Sequence, residues 1–382
     1  MWRNWQRARM GYARFRVQVP APRPNFASIL TQTKMAHNEK TQAVNLSQSF
    51  ESGADMSAKE KEILAEIVSR TGFLPQEVIW RSSYWGTKQI GAVLYRGIHQ
   101  EQPAVLKIQG VKPAVSEIFM LQQFTAQNRS QIIRSPQLYE AIPWSDKNHY
   151  EALILEYARG EKVLQSGRLQ TPEKISQFFT YYQEYQENCL PQKPWLSKPR
   201  KLDWQKRIQE LIAASRKAYP NHPFRLVSDE KLATEAAKLL NAICQNVPLE
   251  FVHSHFSAED LIYQDKKKKQ VILTSNLFWK WRPPFYDAVF GYHWFMYTLG
   301  NVEGITPNQV EKQREVWLLA LFNLTRVEKS PTNTRLLKTA LLERAVAGFL
   351  LDSFLVDPNQ PIARYLTEST RNQAKKLFEE LS

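Results

Sequence analysis

The chain has little cysteine, no dense glycine run and no long apolar segment. Cys189 and Cys244 are its only cysteines in 382 residues, and they form no C-x-x-C pair. A disulfide framework is thereby excluded, a reducing cytoplasm is the expected compartment, and both thiols read as small core residues. The longest apolar stretches, WLLALFNL and AVAGFLLDSFLV, fall well short of the roughly 18 residues that span a bilayer, so no membrane association is expected. The basic N-terminus has no continuous apolar stretch behind it, which excludes a secretory signal.

Acids are missing from the first 34 residues, which carry seven Lys or Arg. The whole chain has 51 basic and 37 acidic residues, a formal +14, so the remainder carries 44 and 37, an excess of only +7. Half of the excess therefore sits in one segment, and the charge is weak support for a nucleic-acid partner. That segment, MWRNWQRARMGYARFRVQVPAPRP, has no helical or strand period and nothing to bury. It resembles translated structural RNA, RVQVP matching the T-arm of a tRNA gene read in one frame. Residues 1–34 are expected to be spurious or disordered, with Met35 as the start; a basic RNA-binding arm is the rival reading. A polar lead-in, 35–56, is expected to be disordered too.

Structure is expected from residue 57. SAKEKEILAEIVSRTG has a Ser57 cap, an apolar stripe at Ile63, Leu64, Ile67 and Val68, and Gly72 as a stop. VIWRSSYWGTKQIGAVLYRG and PAVLKIQG read as three antiparallel strands, and PAVSEIFMLQQFTAQ as a helix opened by Pro113 with Glu117, Leu121 and Phe124 on one face. ALILEYARGE reads as a buried strand ending at Gly160. Five helical segments follow, interrupted by a single hairpin, LIY and VIL, whose tip holds Lys266–Lys269 as a solvated turn.

FVHSHFSAEDLIY then raises the chemical question. A strand lysine, Lys107, is followed by a helix glutamate, Glu117, an apolar strand ending LILEYARGE, a His-centred loop directly before a hairpin, and finally PPFYD. Over roughly residues 75–355 this series resembles the aminoglycoside phosphotransferase and choline kinase-like family. The resemblance implies an α+β, two-lobed protein kinase-like fold: a small antiparallel-sheet lobe with one helix over 57–159 and a larger, mainly helical lobe over 160–382. It implies ATP as cofactor, with Lys107 meeting phosphate, Glu117 holding the lysine, and the backbone near Glu156 and Tyr157 meeting adenine. Partners would be a nucleotide and a small-molecule acceptor, with a protein partner as a further option.

The sequence departs from the family at the chemistry. His255 stands where the family has the catalytic aspartate, Asp260 where it has a metal-binding asparagine, and Ser275, beside Asn276, where it has the metal-binding aspartate. Asp260 offers Mg²⁺ a hard oxygen, Ser275 only a neutral one, and a cationic His255 would repel the ion, so Mg²⁺ binding is expected to be weak. His253 and Asp287 would be structural, Asp287 bracing the loop. The glycine-poor SSYWGTKQIG, with Gly86 and Gly91, would cover the phosphates. A zinc site at His253 and His255 with Glu259 or His293 lacks a familiar ligand spacing, and two structural histidines are the commoner case. These features point to a degenerate phosphotransferase or pseudokinase; an active kinase with an altered metal site and an RNA- or protein-binding module are the alternatives.

Overall fold

A computed structural model describes residues 58–83, 90–110, 112–165, 167–328 and 330–382. The expectations for residues 1–57 and for Gly86 lie outside the described residues.

The small lobe begins with α1 (Ala58–Thr71), which buries Ile63 and Ile67; Gly72 ends it with a φ of +68° that favours glycine. β1 (Leu74–Ser83), β2 (Ile90–His99) and β3 (Gln102–Gln109) then run antiparallel. Gln100 and Glu101, both left-handed, make the two-residue turn between β2 and β3. Along β3 the strand period of two sends Ala104, Leu106 and Ile108 into a core with Ile63, Ile67 and Phe73, and leaves Val105 and Lys107 on the opposite face.

On that opposite side lies α2 (Glu117–Gln127), whose N-cap is Ser116; Pro113 is outside the helix. The serine hydroxyl accepts from the Phe119 N–H and thereby places Glu117 in the first turn. α2 bridges the lobes. Ile118 and Leu121 pack with Leu153 and Leu155 of the small sheet, whereas Met120 and Phe124 belong to the core of the larger lobe. Its C-terminal end is tied to the larger lobe by paired bonds of 3.0 Å between the Gln127 amide and the Lys193 backbone.

After α2, β4 (Ile133–Arg134) pairs in parallel with a strand of the larger lobe, while β5 (Leu138–Ile142) and β6 (Glu151–Glu156) complete the five-stranded sheet, ordered β1-β2-β3-β6-β5. Past the linker come α3 (Pro172–Glu184), α4 (Trp204–Ala218) and α5 (Val227–Ile243). β7 (Glu250–Val252), β8 (Leu261–Asp265), β9 (Gln270–Leu273) and β10 (Lys280–Arg282) frame the loop of interest. The expected hairpin is β8–β9; β4 joins its outer edge and β7 pairs with β10, two ladders too short to register as sequence periodicity.

α6 (Tyr286–Thr298) is buried along its whole length, as an apolar helix without a polar face must be. α7 (Pro307–Phe322), α8 (Thr325–Glu328), α9 (Pro331–Leu350) and α10 (Pro361–Leu381) enclose it. Among the described residues, no helix is long and apolar enough to cross a membrane.

Candidate functional site

The β3 register sets Lys107 opposite Leu153 of β6, on the face that meets α2. Its ammonium lies 2.5 Å from Glu117 Oε2, which also accepts from Gln109 Nε2 at 3.2 Å. Glu117 is held in turn by Glu151. One oxygen of Glu151 accepts the Glu117 N–H at 2.9 Å, and the other accepts the Ser116 hydroxyl at 2.5 Å. Burial pushes the Glu151 carboxyl up against the pull of these bonds. Lys107 thus has a fixed direction and keeps 14% of its side chain exposed.

At the linker, the Glu156 side chain turns toward the larger lobe and receives a two-pronged Arg134 guanidinium at 2.6 and 2.7 Å, plus the Gln137 N–H at 3.1 Å. Burial would raise its carboxyl, but these donors outweigh it and hold the group below the usual carboxylate range. The Tyr157 ring lies under the Arg96 guanidinium at 5.3 Å. Residues 156–160, with Pro103, Tyr139 and Tyr263, line an open cavity of about 350 Å³. At Gly160 the backbone runs so close to β8 that a Cβ would come within 1.7 Å of the Tyr263 carbonyl oxygen, which explains the glycine.

The loop between β7 and β8 sends its two histidines in different directions because Ser254, between them, is left-handed at a φ of 60°. Arg282 Nε donates to the Ser254 hydroxyl at 2.9 Å and holds that turn. His253 points inward. Its Nε2 contacts the Ser275 carbonyl, and its backbone N–H donates to the Tyr185 hydroxyl at 2.7 Å. Tyr185 donates onward to Asp287 at 2.8 Å. Burial pushes His253 down to about 4 and the Asp287 carboxyl up to about 7. Asp287, second residue of α6, thereby reaches the loop through Tyr185.

His255 turns instead into an aromatic enclosure, its ring 4.7 Å from Phe278, 4.5 Å from Phe290 and 5.8 Å from Trp294. Its Nδ1 lies 3.2 Å from Asp260 Oδ2. The same carboxylate oxygen accepts the Ser257 hydroxyl at 2.5 Å, and Asp260 has no exposed surface. Glu259 receives the Trp294 indole N–H at 3.3 Å. His255, Asp260 and Ser257 are therefore brought together, whereas His253 and Ser275 form a separate contact.

Mg²⁺ requires several oxygens, usually including a carboxylate free to coordinate. Asp260 is engaged by His255 and Ser257, Ser275 contributes its carbonyl to His253, and Asn276 donates its amide to the Leu273 carbonyl at 3.0 Å. The Asn276 side-chain oxygen is buried without a partner, one neutral donor where an ion needs charge. The residues present therefore do not fit a kinase-type Mg²⁺ pair. Among the described residues, no group of three His, Cys, Asp or Glu could hold a metal ion.

Sequence reasoning missed Ser257, Tyr185, Glu151 and Arg282. Only Ser257 left a local signal, three residues before Asp260 in a turn closed by the Asp260 N–H to the Ser257 carbonyl at 3.0 Å. The others reach the site from distant segments.

No protein family matches the chain by sequence, and no curated protein does. Solved structures do match by shape. Aminoglycoside phosphotransferase APH(4)-Ia superposes with a TM-score of 0.52 at 10% identity, covering 84% of this chain and 98% of that one. A thermostable mutant of that enzyme, in its apo form, gives 0.51 at 11%, with the same coverage. Another variant, in a ternary complex with AMP-PNP and hygromycin B, gives 0.51 at 10%, covering 85% and 98%. The chain has the two-lobed, kinase-like fold of these phosphotransferases.

Proposed function

We propose that the chain is a degenerate phosphotransferase of the aminoglycoside phosphotransferase and choline kinase-like kind, binding nucleotide weakly and transferring phosphate poorly or not at all. In this reading ATP enters between the lobes, its adenine against the linker backbone at Glu156 and Tyr157 and its phosphates against Lys107. Glu117 and Glu151 orient the lysine. The observation that carries the reading is the engagement of Asp260: its buried carboxylate already holds His255 and Ser257. Without that carboxylate, only neutral oxygens remain at Ser275 and Asn276 to hold a metal between phosphates.

The same contact favours one alternative. Asp260 holds His255 by Nδ1, the arrangement in which a carboxylate orients an imidazole so that its other nitrogen takes a proton. An active kinase of a small hydroxyl compound would then use His255 as the base in place of the family's aspartate.

Thermal-shift titration with ATP, with and without Mg²⁺, tests the main reading. Weak stabilisation that Mg²⁺ barely changes, and that Lys107→Ala removes, is expected. Tight and strictly Mg²⁺-dependent binding, or acceptor-dependent ADP release, would overturn it.

A further inference from the structure

Three guanidiniums converge on one ring next to the His-centred loop. The Tyr286 ring centre lies 4.7 Å from the Arg282 guanidinium carbon and 6.0 Å from those of Arg207 and Arg344. The Arg207 and Arg344 tips also reach the Tyr286 hydroxyl, each at 3.4 Å. This cluster borders the face of the loop where His255 meets Phe290, because Tyr286 and Phe290 stack one turn apart on α6.

The local acids neutralise only part of this charge. Glu343 takes Arg207 and Asp352 takes Arg344. Arg282 is more than nine-tenths buried, yet its hydrogen bond is to the Ser254 hydroxyl, and no carboxylate lies within ion-pair distance among the described residues. Of the other nearby acids, Glu250 stands opposite Arg282 in the β7–β10 ladder but binds Arg326, Glu210 lies near Lys280, and Asp287 accepts from Tyr185 and is pushed toward its neutral form by burial, against the pull of Arg282. Lys280 stands exposed at the end of β10. Desolvation lowers its ammonium to about 8, with smaller contributions from Arg282 and Arg207 that Glu210 opposes. Burying a guanidinium without an anion is costly, and planar guanidiniums suit two-pronged binding of oxyanions.

We infer that Arg282, with Arg207, Arg344 and Lys280 around Tyr286, binds a compact oxyanionic group, a phosphoryl or carboxylate, on a small molecule at the acceptor side of the loop. Calling it the acceptor side rests on the phosphotransferase-like reading; the binding of the anion does not. A cationic aminoglycoside would meet repulsion here.

Isothermal titration at fixed ionic strength tests this with three probes: inorganic phosphate, succinate and hygromycin B. Phosphate or succinate should bind and hygromycin B should not, the stronger of the two anions identifying the group. Arg282→Gln keeps a donor for Ser254 and should weaken anion binding about tenfold or more, as loss of a charge-assisted bidentate contact does. Lys280→Gln, at an exposed position that folding tolerates, should weaken it severalfold. Lys107→Ala should leave anion binding intact, which separates this site from the nucleotide cleft. Hygromycin B binding, absence of anion binding, or an anion lost with Lys107→Ala but retained in Arg282→Gln would each overturn the inference. ATP titrated against the same variants tests the nucleotide reading separately, so either can fail alone.

Discussion

Replacing Asp260 by alanine separates a carboxylate that holds the fold from one that waits for a metal. Its Oδ2 accepts the Ser257 hydroxyl at 2.5 Å and lies 3.2 Å from His255 Nδ1, with no exposed surface. Hydrogen bonds to a charged group contribute about 1.5–3 kcal/mol each, and removing one partner of a buried charged pair costs about 3–5 kcal/mol. We expect a loss of that size for Asp260→Ala. An unfolding entropy of about 2.1 cal/mol/K per residue, over the roughly 325 residues from 57 onward, is about 0.7 kcal/mol/K, so Tm should fall by about 4–7 °C. Asp260→Asn keeps an acceptor oxygen and the shape, and should cost about 1–2 kcal/mol. Calorimetry without nucleotide provides the measurement. A second cycle with Ser257→Ala should show non-additivity of about 1 kcal/mol or more. If Asp260→Ala melts within about 1 °C of the parent, the carboxylate is not structurally engaged and the argument against a metal at this loop fails.

Two further outcomes follow from the loop. The Asp287 carboxyl is raised from 3.8 to about 7, so the folded chain keeps a proton that the unfolded chain releases; this contribution is full below about pH 3.8 and is lost as pH rises through about 7. Asp287→Asn should remove it, gaining stability relative to the parent at pH 8 compared with pH 5 in urea titrations; parallel profiles would contradict the assignment. Restoring the family's acids should require all positions at once, because His255→Asp alone sets a second carboxylate beside Asp260. The triple variant His255→Asp, Asp260→Asn, Ser275→Asp should gain Mg²⁺-dependent ATP hydrolysis, abolished again by Lys107→Ala. Turnover by the parent that falls on His255→Asp would instead make His255 a working base.

The elements that set the lobes were legible because their signals are local. α1 carries its stripe and its glycine stop, and the β2 and β3 runs are apolar and β-branched between glycines, so Lys107 could be placed on a strand before its partner was seen. The family resemblance, and no local signal, paired Lys107 with Glu117. The capping residue of α2 was misplaced, since a proline commonly opens a helix and Ser116 offers the better acceptor three residues later. The role of Asp260 was not legible. Its alternatives, a metal ligand or a buried anchor, differ only in what faces the carboxylate, and Ser257 and His255 reach it through a turn that no periodicity encodes. Tyr185, Glu151 and Arg282 were invisible for the same reason: each arrives from a segment whose distance in sequence conceals its proximity in space.

α2 has a mechanical consequence. Its first turn is clamped to the small sheet through Glu151, and its last residue is clamped to the larger lobe through Lys193. At about 1.5 Å per residue its 11 residues make a strut about 16 Å long. The linker, seated against β8 at Gly160, and β4, paired with β9 of the larger lobe, are further crossings. A motion that parts the lobes must therefore break a clamp or bend the strut. The Lys107–Glu117 pair lies at the strut's small-lobe end, beside the Glu151 clamp, and moves with the sheet. It should therefore stay formed whether the cleft is open or shut.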